Sequence, residues 1–377
     1  MVEILHPEYD CQKISELRGG GNYQYIDGWT HAAAALSALD GLEHVDPDTT
    51  PPAPFDVYDE AAVERRSRYI VFPWRRTIIR LPDAELFYRL KTARNRYLLT
   101  AQEQEKWGQS LIAVAGLSVG SSAVNACALT GARRFHLADA DTLDVTNLNR
   151  IIGSVCDLGI TKIDLSTRRT LEGDPYSTIT PFPLGYRPGV ADAFLGIGGE
   201  QRASIVIEEV DDIAMKIDMR RRARAAGIPV VSATDVGDNV ILDVERYDID
   251  PDYPIFHGRG ESFSAGDAED PQQRLRMAVE IVGDVLTPRM AYAASQIGRS
   301  VASWPQLGST ATMSGAIVAA TARNIICGRP ITSGRYRFDV EDALFGGYSE
   351  PYRWNELSPD QLTAMLRSAQ VPPQPRR

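Results

Sequence analysis

The apolar positions of this chain change rhythm near residue 110. Upstream they are spaced and interrupted. Gly19-Gly20-Gly21 and the segment Asp46 to Pro54, with Pro51, Pro52 and Pro54, are loop signals that flank a short helical pattern from Ala32 to Leu42. Arg68-Tyr-Ile-Val-Phe-Pro-Trp74 and Arg76-Thr-Ile-Ile-Arg-Leu81 read as extended segments. Asp83 to Tyr97 reads as a helix that Asp83 caps after Pro82. Downstream of residue 110 the apolar residues come in continuous runs. Leu111-Ile-Ala-Val-Ala115, Arg134 to Ala138, Ala203-Ser-Ile-Val-Ile207 and Pro229-Val-Val-Ser232 have the character of parallel strands covered on both faces. Helical patterns at Ser121 to Leu129, Lys162 to Leu171 and Ala214 to Ala226 separate them, with a weak strand at Ser177 to Phe182.

This alternation predicts an α/β fold, a doubly wound, Rossmann-like and mostly parallel sheet. Asn239-Val-Ile-Leu-Asp-Val-Glu245 follows its predecessor after a short turn, so it should add an antiparallel extension. Two helical patterns (Arg289 to Ala302, Ser309 to Ile326) and a closing strand at Gly334-Arg-Tyr-Arg-Phe-Asp339 complete the domain. Tyr253 to Gln273, carrying Pro254, Gly258, Gly260, Gly266 and Pro271, reads as a long loop able to cover a site. The expected division is a separate N-terminal region at residues 1–105, the α/β domain at 106–345, and a tail at 346–377. The end of that tail, Val371 to Arg377, is expected to be disordered.

At 377 residues, 44% hydrophobic and 24% charged, the composition is that of a globular protein able to bury a large core. A formal charge of −10 argues against a nucleic-acid partner held by bulk electrostatics, while leaving room for a local phosphate pocket. No apolar run approaches the roughly 20 residues of a membrane span, and the N-terminus lacks the shape of a signal peptide. The expectation is a cytoplasmic protein with neither membrane nor nucleic acid as partner. The four cysteines, Cys11, Cys127, Cys156 and Cys327, form no Cys-x-x-Cys pair, so no zinc site is indicated and buried free thiols are expected.

The chemistry concentrates at strand ends. Gly116-Leu-Ser118-Val-Gly120-Ser121 joins the first core strand to its helix, where small residues admit a phosphate and the helix start supplies N–H groups. Alone, this turn is equally a tight packing device. Asp139 closes the second core strand about 20 residues further on, where a βαβ nucleotide fold places its ribose contact. Asp141 and Asp144 serve equally well as turn caps. Asn147 and Arg150 are spaced to share one side of a helical turn, and Lys162 opens the next helix. Together the arginine and lysine suit a polyphosphate. Glu208-Glu-Val-Asp211-Asp212 ends the third core strand. Asp211 there suits Mg²⁺ bridged to phosphates, and the alternative is capping of the next helix by Asp211 or Asp212.

In this order, a glycine turn, Asp-x-Asp, Asn147-Leu-Asn-Arg150, Gly159-Ile-Thr-Lys162 and a later Asp211, the chain resembles the ThiF/MoeB/ubiquitin-activating superfamily from about Arg68 to about Asp339. Arg94-Asn-Arg96-Tyr97 is similar to that family's N-terminal entry. The resemblance implies an ATP-dependent adenylyltransferase that activates a carboxylate of a peptide, carrier protein or small acid and releases pyrophosphate. It further implies that Asp139 binds ribose, that Asn147, Arg150 and Lys162 hold the triphosphate, and that Asp211 holds Mg²⁺. Arg94 or Arg96 would be the arginine lent to the partner site of a homodimer. Ser118 and Ser121 depart from the family's glycines, the zinc cysteines are absent, and no cysteine stands in an evident thioester context. The N-terminal region would be a peptide-recognition module or a dimerisation element. Two rival readings remain: a degenerate peptide-binding relative without ATP turnover, and an NAD-binding dehydrogenase, which leaves Asn147, Arg150, Lys162 and Asp211 without a joint task.

Overall fold

Residues 2–42, 53–264, 266–267, 270, 273, 277, 280–281, 287–297 and 299–346 are described by the structure, a computed structural model. The disorder expected of Val371 to Arg377 concerns residues outside that set, as do Pro51 and Pro52. The chain divides into two units. The first combines Met1–Gln109 with Ala128–Arg133 and Arg168–Thr178, and the second comprises Ser110–Cys127, Arg134–Thr167 and Ile179–Arg377.

The first unit contains β1 (Glu3–Leu5), α1 (Cys11–Gly19), β2 (Gln24–Asp27), α2 (Trp29–Asp40), α3 (Glu60–Arg65), β3 (Ser67–Phe72), β4 (Thr77–Pro82), α4 (Ala84–Lys91) and α5 (Ala101–Gln109). Its four strands are ordered β1-β3-β4-β2. β3 is antiparallel to β1 and β4, and β2 runs parallel to β4. Asp83 caps α4 as expected, accepting the Leu86 N–H at 3.1 Å. That helix stops at Lys91, short of Tyr97. Thr92 turns its hydroxyl back onto the Tyr88 carbonyl at 2.8 Å, and a 3-10 turn, Ala93–Asn95, follows.

The second unit holds β5 (Leu111–Ala115), α6 (Val119–Leu129), β6 (Arg134–Ala138), α7 (Lys162–Gly173), β7 (Thr178–Phe182), α8 (Ala191–Leu195), β8 (Ile205–Glu208), α9 (Ile213–Ala226), β9 (Val230–Val236), β10 (Asn239–Glu245), α10 (Pro288–Ser295), α11 (Gly308–Ile326), β11 (Gly334–Phe338) and α12 (Val340–Phe345), with α6, α7 and β7 crossing the unit boundaries. The strand order is β11-β10-β9-β8-β5-β6-β7. β5 is parallel to β6 and β8, β8 is parallel to β9, and β10 returns antiparallel as its short turn predicts. β11 adds a second antiparallel strand outside β10.

All five residues of β5 are buried, which is why its sequence shows no polar alternation. Gly315 of α11 fits against α6 because a Cβ there would meet the Ser122 Cβ at 2.5 Å. Like α4, α10 is shorter than its pattern: it ends at Ser295, and the chain then folds on itself, with the Val301 N–H on the Gln296 carbonyl at 3.2 Å. The thiols also differ from expectation. Cys127 is buried and Cys327 partly so, but Cys11 and Cys156 are exposed: α1 buries Ile14 instead, and the 3-10 turn Val155–Asp157 buries none of its residues.

The sheet's interior carries a charged network. Glu208 of β8 receives Lys216 Nζ at 2.9 Å and Arg220 Nη1 at 2.5 Å, and Arg220 Nε lies 2.7 Å from Glu245 Oε2 of β10. Two carboxylates thus meet two cations where an unpaired charge would be costly.

Candidate nucleotide site

β6 and β8 flank β5 on opposite sides, so the direction of winding reverses there, and the crevice beyond these strands' carboxyl ends is where such sheets bind ligands. Gly116 forms its floor. It adopts φ +86°, donates its N–H to the Ala138 carbonyl at 2.8 Å, and a Cβ on it would lie 2.3 Å from the Glu209 carbonyl oxygen. α6 begins three residues later, and the N–H groups of its first turn have no intrahelical acceptor. At Gly120 a Cβ would come within 3.1 Å of Val114 Cγ1.

The two serines of this turn take specific places. Ser121 donates its hydroxyl to the Ser118 carbonyl at 2.8 Å, and the Ser118 hydroxyl accepts Arg150 Nε at 2.9 Å. The two remaining Arg150 contacts, to the Thr146 carbonyl (3.1 Å) and Asn149 Oδ1 (2.9 Å), use Nη1. Partial burial lowers the Arg150 pKa, and the charges of Asp211 and Asp235 oppose that shift.

Asp139 is held by two backbone donors, Leu117 N–H at 2.6 Å and Asp141 N–H at 2.7 Å. Burial pushes its carboxyl up, against the pull of nearby Lys162. Asp141 Oδ2 receives Lys162 Nζ at 2.9 Å, so this lysine is anchored within the site. Asn147 spends its side-chain oxygen on the Asp144 N–H (3.1 Å) in the capping box of a 3-10 turn, Val145–Asn147.

The acidic run after β8 separates into distinct tasks. Glu208 belongs to the interior network, and Asp212 caps α9 by accepting the Met215 N–H at 3.1 Å. Asp211 is exposed and makes no hydrogen bond among the described residues. Glu209 accepts the Ala233 N–H at 2.9 Å, and burial pushes its carboxyl well above the usual range.

Sequence reasoning missed Asp235, near the end of β9. It is buried, receives the Ser314 hydroxyl of α11, and takes Gln306 Nε2 at 3.2 Å. Burial raises its pKa, the reverse of the effect of its neighbour Arg150. Gln306 also offers its carbonyl to Asn149 Nδ2 at 3.0 Å, so the segment before α11 lies against the Arg150 loop. The signal was available: Asp235 continues an apolar run to its carboxyl end, as Asp139 does. Arg94 and Arg96 belong to the first unit and are not among these side chains, nor is the exposed Cys156.

A glycine turn at the switch point, a fixed aspartate at the next strand end and an anchored arginine define a doubly wound α/β domain with a nucleotide-type crevice. The model of the ThiF family matches residues 92–346, and the chain belongs to that family. It is 32% identical over 339 residues to the uncharacterized protein MT1398 of Mycobacterium tuberculosis (strain CDC 1551 / Oshkosh), covering 89% of this chain and 44% of that one. It is 28% identical over 167 residues to the tRNA threonylcarbamoyladenosine dehydratase of Bacillus subtilis (strain 168), covering 42% of this chain and 64% of that one. The chain therefore spans less than two thirds of either relative. Among solved structures, selenomethionine PaaA aligns with a TM-score of 0.49 at 17% identity, covering 83% of this chain and 79% of that one.

Proposed function

We propose that this chain uses ATP to adenylate a substrate carboxylate. The observation that carries the reading is Arg150 anchored on Ser118 at the mouth of the Gly116 turn, within electrostatic reach of Asp211 and Asp235. A phosphate can approach the backbone at Gly116, with Ser118, Gly120 and Ser121 lining the turn. Asp139, its orientation fixed by two N–H donors, would accept the ribose hydroxyls. Arg150 would hold the phosphates, Asn147 has its amide nitrogen left for them, and Lys162 would act from its place on Asp141.

In the reaction, a carboxylate oxygen attacks the α-phosphorus, the bond to the β-phosphate oxygen breaks, and pyrophosphate leaves. These residues contribute alignment and charge neutralisation. Among the described residues no three His, Cys, Asp or Glu side chains are grouped to hold a metal. A lone free carboxylate at Asp211 fits Mg²⁺ that arrives with a nucleotide, since that ion commonly takes one or two protein carboxylates besides phosphates and water. Zinc has no part in this reading.

The substrate class is a peptide, a carrier protein or a small carboxylic acid. Homodimerisation, with Arg94 or Arg96 serving the partner's site, belongs to the same proposal. Mixing Arg150→Ala subunits with Arg94→Ala/Arg96→Ala subunits should restore turnover, and no restoration after verified subunit exchange argues for sites contained in one chain.

The test of the nucleotide site is calorimetric titration with ATP and Mg²⁺ beside NAD⁺. ATP should bind, Arg150→Ala should weaken it at least about tenfold, a loss of about 1.4 kcal/mol, and Asp211→Ala should remove the Mg²⁺ dependence. Absence of ATP binding, or equal binding by both variants, overturns the proposal. NAD⁺ binding instead would favour the dehydrogenase.

A further inference from the structure

Away from the nucleotide crevice, the loop after β10 contains a backbone feature that the adenylation chemistry leaves unused. Phe256 (φ 48°, ψ 35°) and His257 (φ 58°, ψ 35°) are consecutive left-handed residues, and neither is glycine. Such strain persists only where surroundings over-determine it, and it gathers at functional sites. Here Glu245 accepts the Phe256 N–H at 2.6 Å, and the Arg220 guanidinium lies 3.9 Å from the centre of the Phe256 ring. Glu261 accepts the Ile255 N–H at 2.8 Å and is paired with Arg224 of α9 at 2.6 Å.

The strained turn sets His257 between two partners. Its Nε2 lies 2.9 Å from Asp243 Oδ1, and its Nδ1 lies 2.9 Å from the Tyr253 hydroxyl. The carboxylate can only accept, so Nε2 is assigned the hydrogen, and Nδ1 becomes the acceptor for the tyrosine proton. Arg335 grips Asp243 with Nε and Nη2 at 2.7 and 2.8 Å, which fixes the carboxylate. A hydroxyl on a base, and that base on an orienting carboxylate, is the geometry of an activated nucleophile. Asp243 pairs with Ser232 and Glu245 with Val230 at the start of β9, so this array sits toward the end of the sheet opposite Asp235.

We propose that Tyr253 is a nucleophile toward activated acyl esters, with His257 as its base and Asp243 as the positioning residue. Tyr253 Oη attacks the carbonyl carbon as its proton passes to His257 Nδ1, and the ester C–O bond breaks with that proton returned from His257 to the leaving oxygen, which departs as an alcohol or phenol. The acyl group remains on tyrosine as an aryl ester. Burial, then the charges of Glu245 and Asp243, raise the phenol's pKa, so the proton must move during attack and a base is required. Besides those two carboxylates, Tyr336, Asp250, Arg335 and Arg224 face the pair, and the side chain of His257 keeps 14% of its surface open. The site is independent of nucleotide use.

The probe is p-nitrophenyl acetate on the whole chain, read by peptide mass spectrometry. Half-buried Tyr253 should acquire acetyl at least about tenfold faster than the exposed Tyr9, Tyr58 and Tyr97, consistent with base catalysis of 10²–10⁴. His257→Asn, a residue type that tolerates left-handed backbone, should remove that advantage. Acetylation no faster than at the three exposed tyrosines overturns the proposal and leaves a structural strut. So does an unchanged rate in a folded His257→Asn variant. If that variant loses its fold, the wild-type comparison decides alone.

Discussion

Arg150 Nε donates to the Ser118 hydroxyl at 2.9 Å, tying the loop beyond β6 to the turn beyond β5. In the proposed site Ser118 would thereby be the support of the Arg150 guanidinium. Ser118→Ala should keep the fold and lower ATP affinity by about fivefold, the worth of one hydrogen bond of about 1 kcal/mol. Calorimetry on the variant checks it. An unchanged affinity would mean that Arg150 is positioned by its Nη1 contacts alone.

Gly116→Ala should be far more damaging than its size suggests. The new methyl would sit 2.3 Å from the Glu209 carbonyl, on a backbone with φ +86°. A cost of about 2 kcal/mol or more is expected, read as a lower denaturation midpoint together with loss of ATP binding. A variant of wild-type stability would show that this turn yields more readily than the contact implies.

Asp243 gives a pH signature. Arg335 and His257 hold its carboxyl well below its ordinary value of 3.8, despite burial. The folded pKa is the depressed one, so its contribution is fully present above the unfolded value and is lost as pH falls from there toward the folded value. Asp243→Asn should cost about 3 kcal/mol at neutral pH, as breaking a buried ion pair does. The gap between variant and wild type should stay constant above about pH 5 and narrow below 3.8. Denaturant titrations across that range measure it, and a gap independent of pH would show that the pair does not set the carboxyl's proton affinity.

Much of the fold is legible in the chain because parallel strands buried on both faces write themselves as unbroken apolar runs. Leu111 to Ala115 is such a case, while the antiparallel Asn239 to Glu245 is legible from its apolar centre and from the short turn before it. Candidate ligands at strand ends, Gly116, Asp139 and Asp211, follow from the same pattern. What the pattern does not convey is which polar groups already have partners. Lys162 reads as a free cation and is bound to Asp141, and Glu208 reads as a site acid and is buried against Arg220. Asp235 escapes notice because its partners, Gln306 and Ser314, arrive from more than seventy positions along the chain. β1 and β2 are too short and too exposed to leave a period.

The network of Glu208, Arg220 and Glu245 also acts as a register lock. Slipping β10 by one residue against β9 would turn Glu245 to the opposite face of the sheet and leave Arg220 with a single carboxylate. Mispaired strands would thus be penalised by charge as well as by packing. The charge term exists only with α9 in place, since Arg220 belongs to that helix.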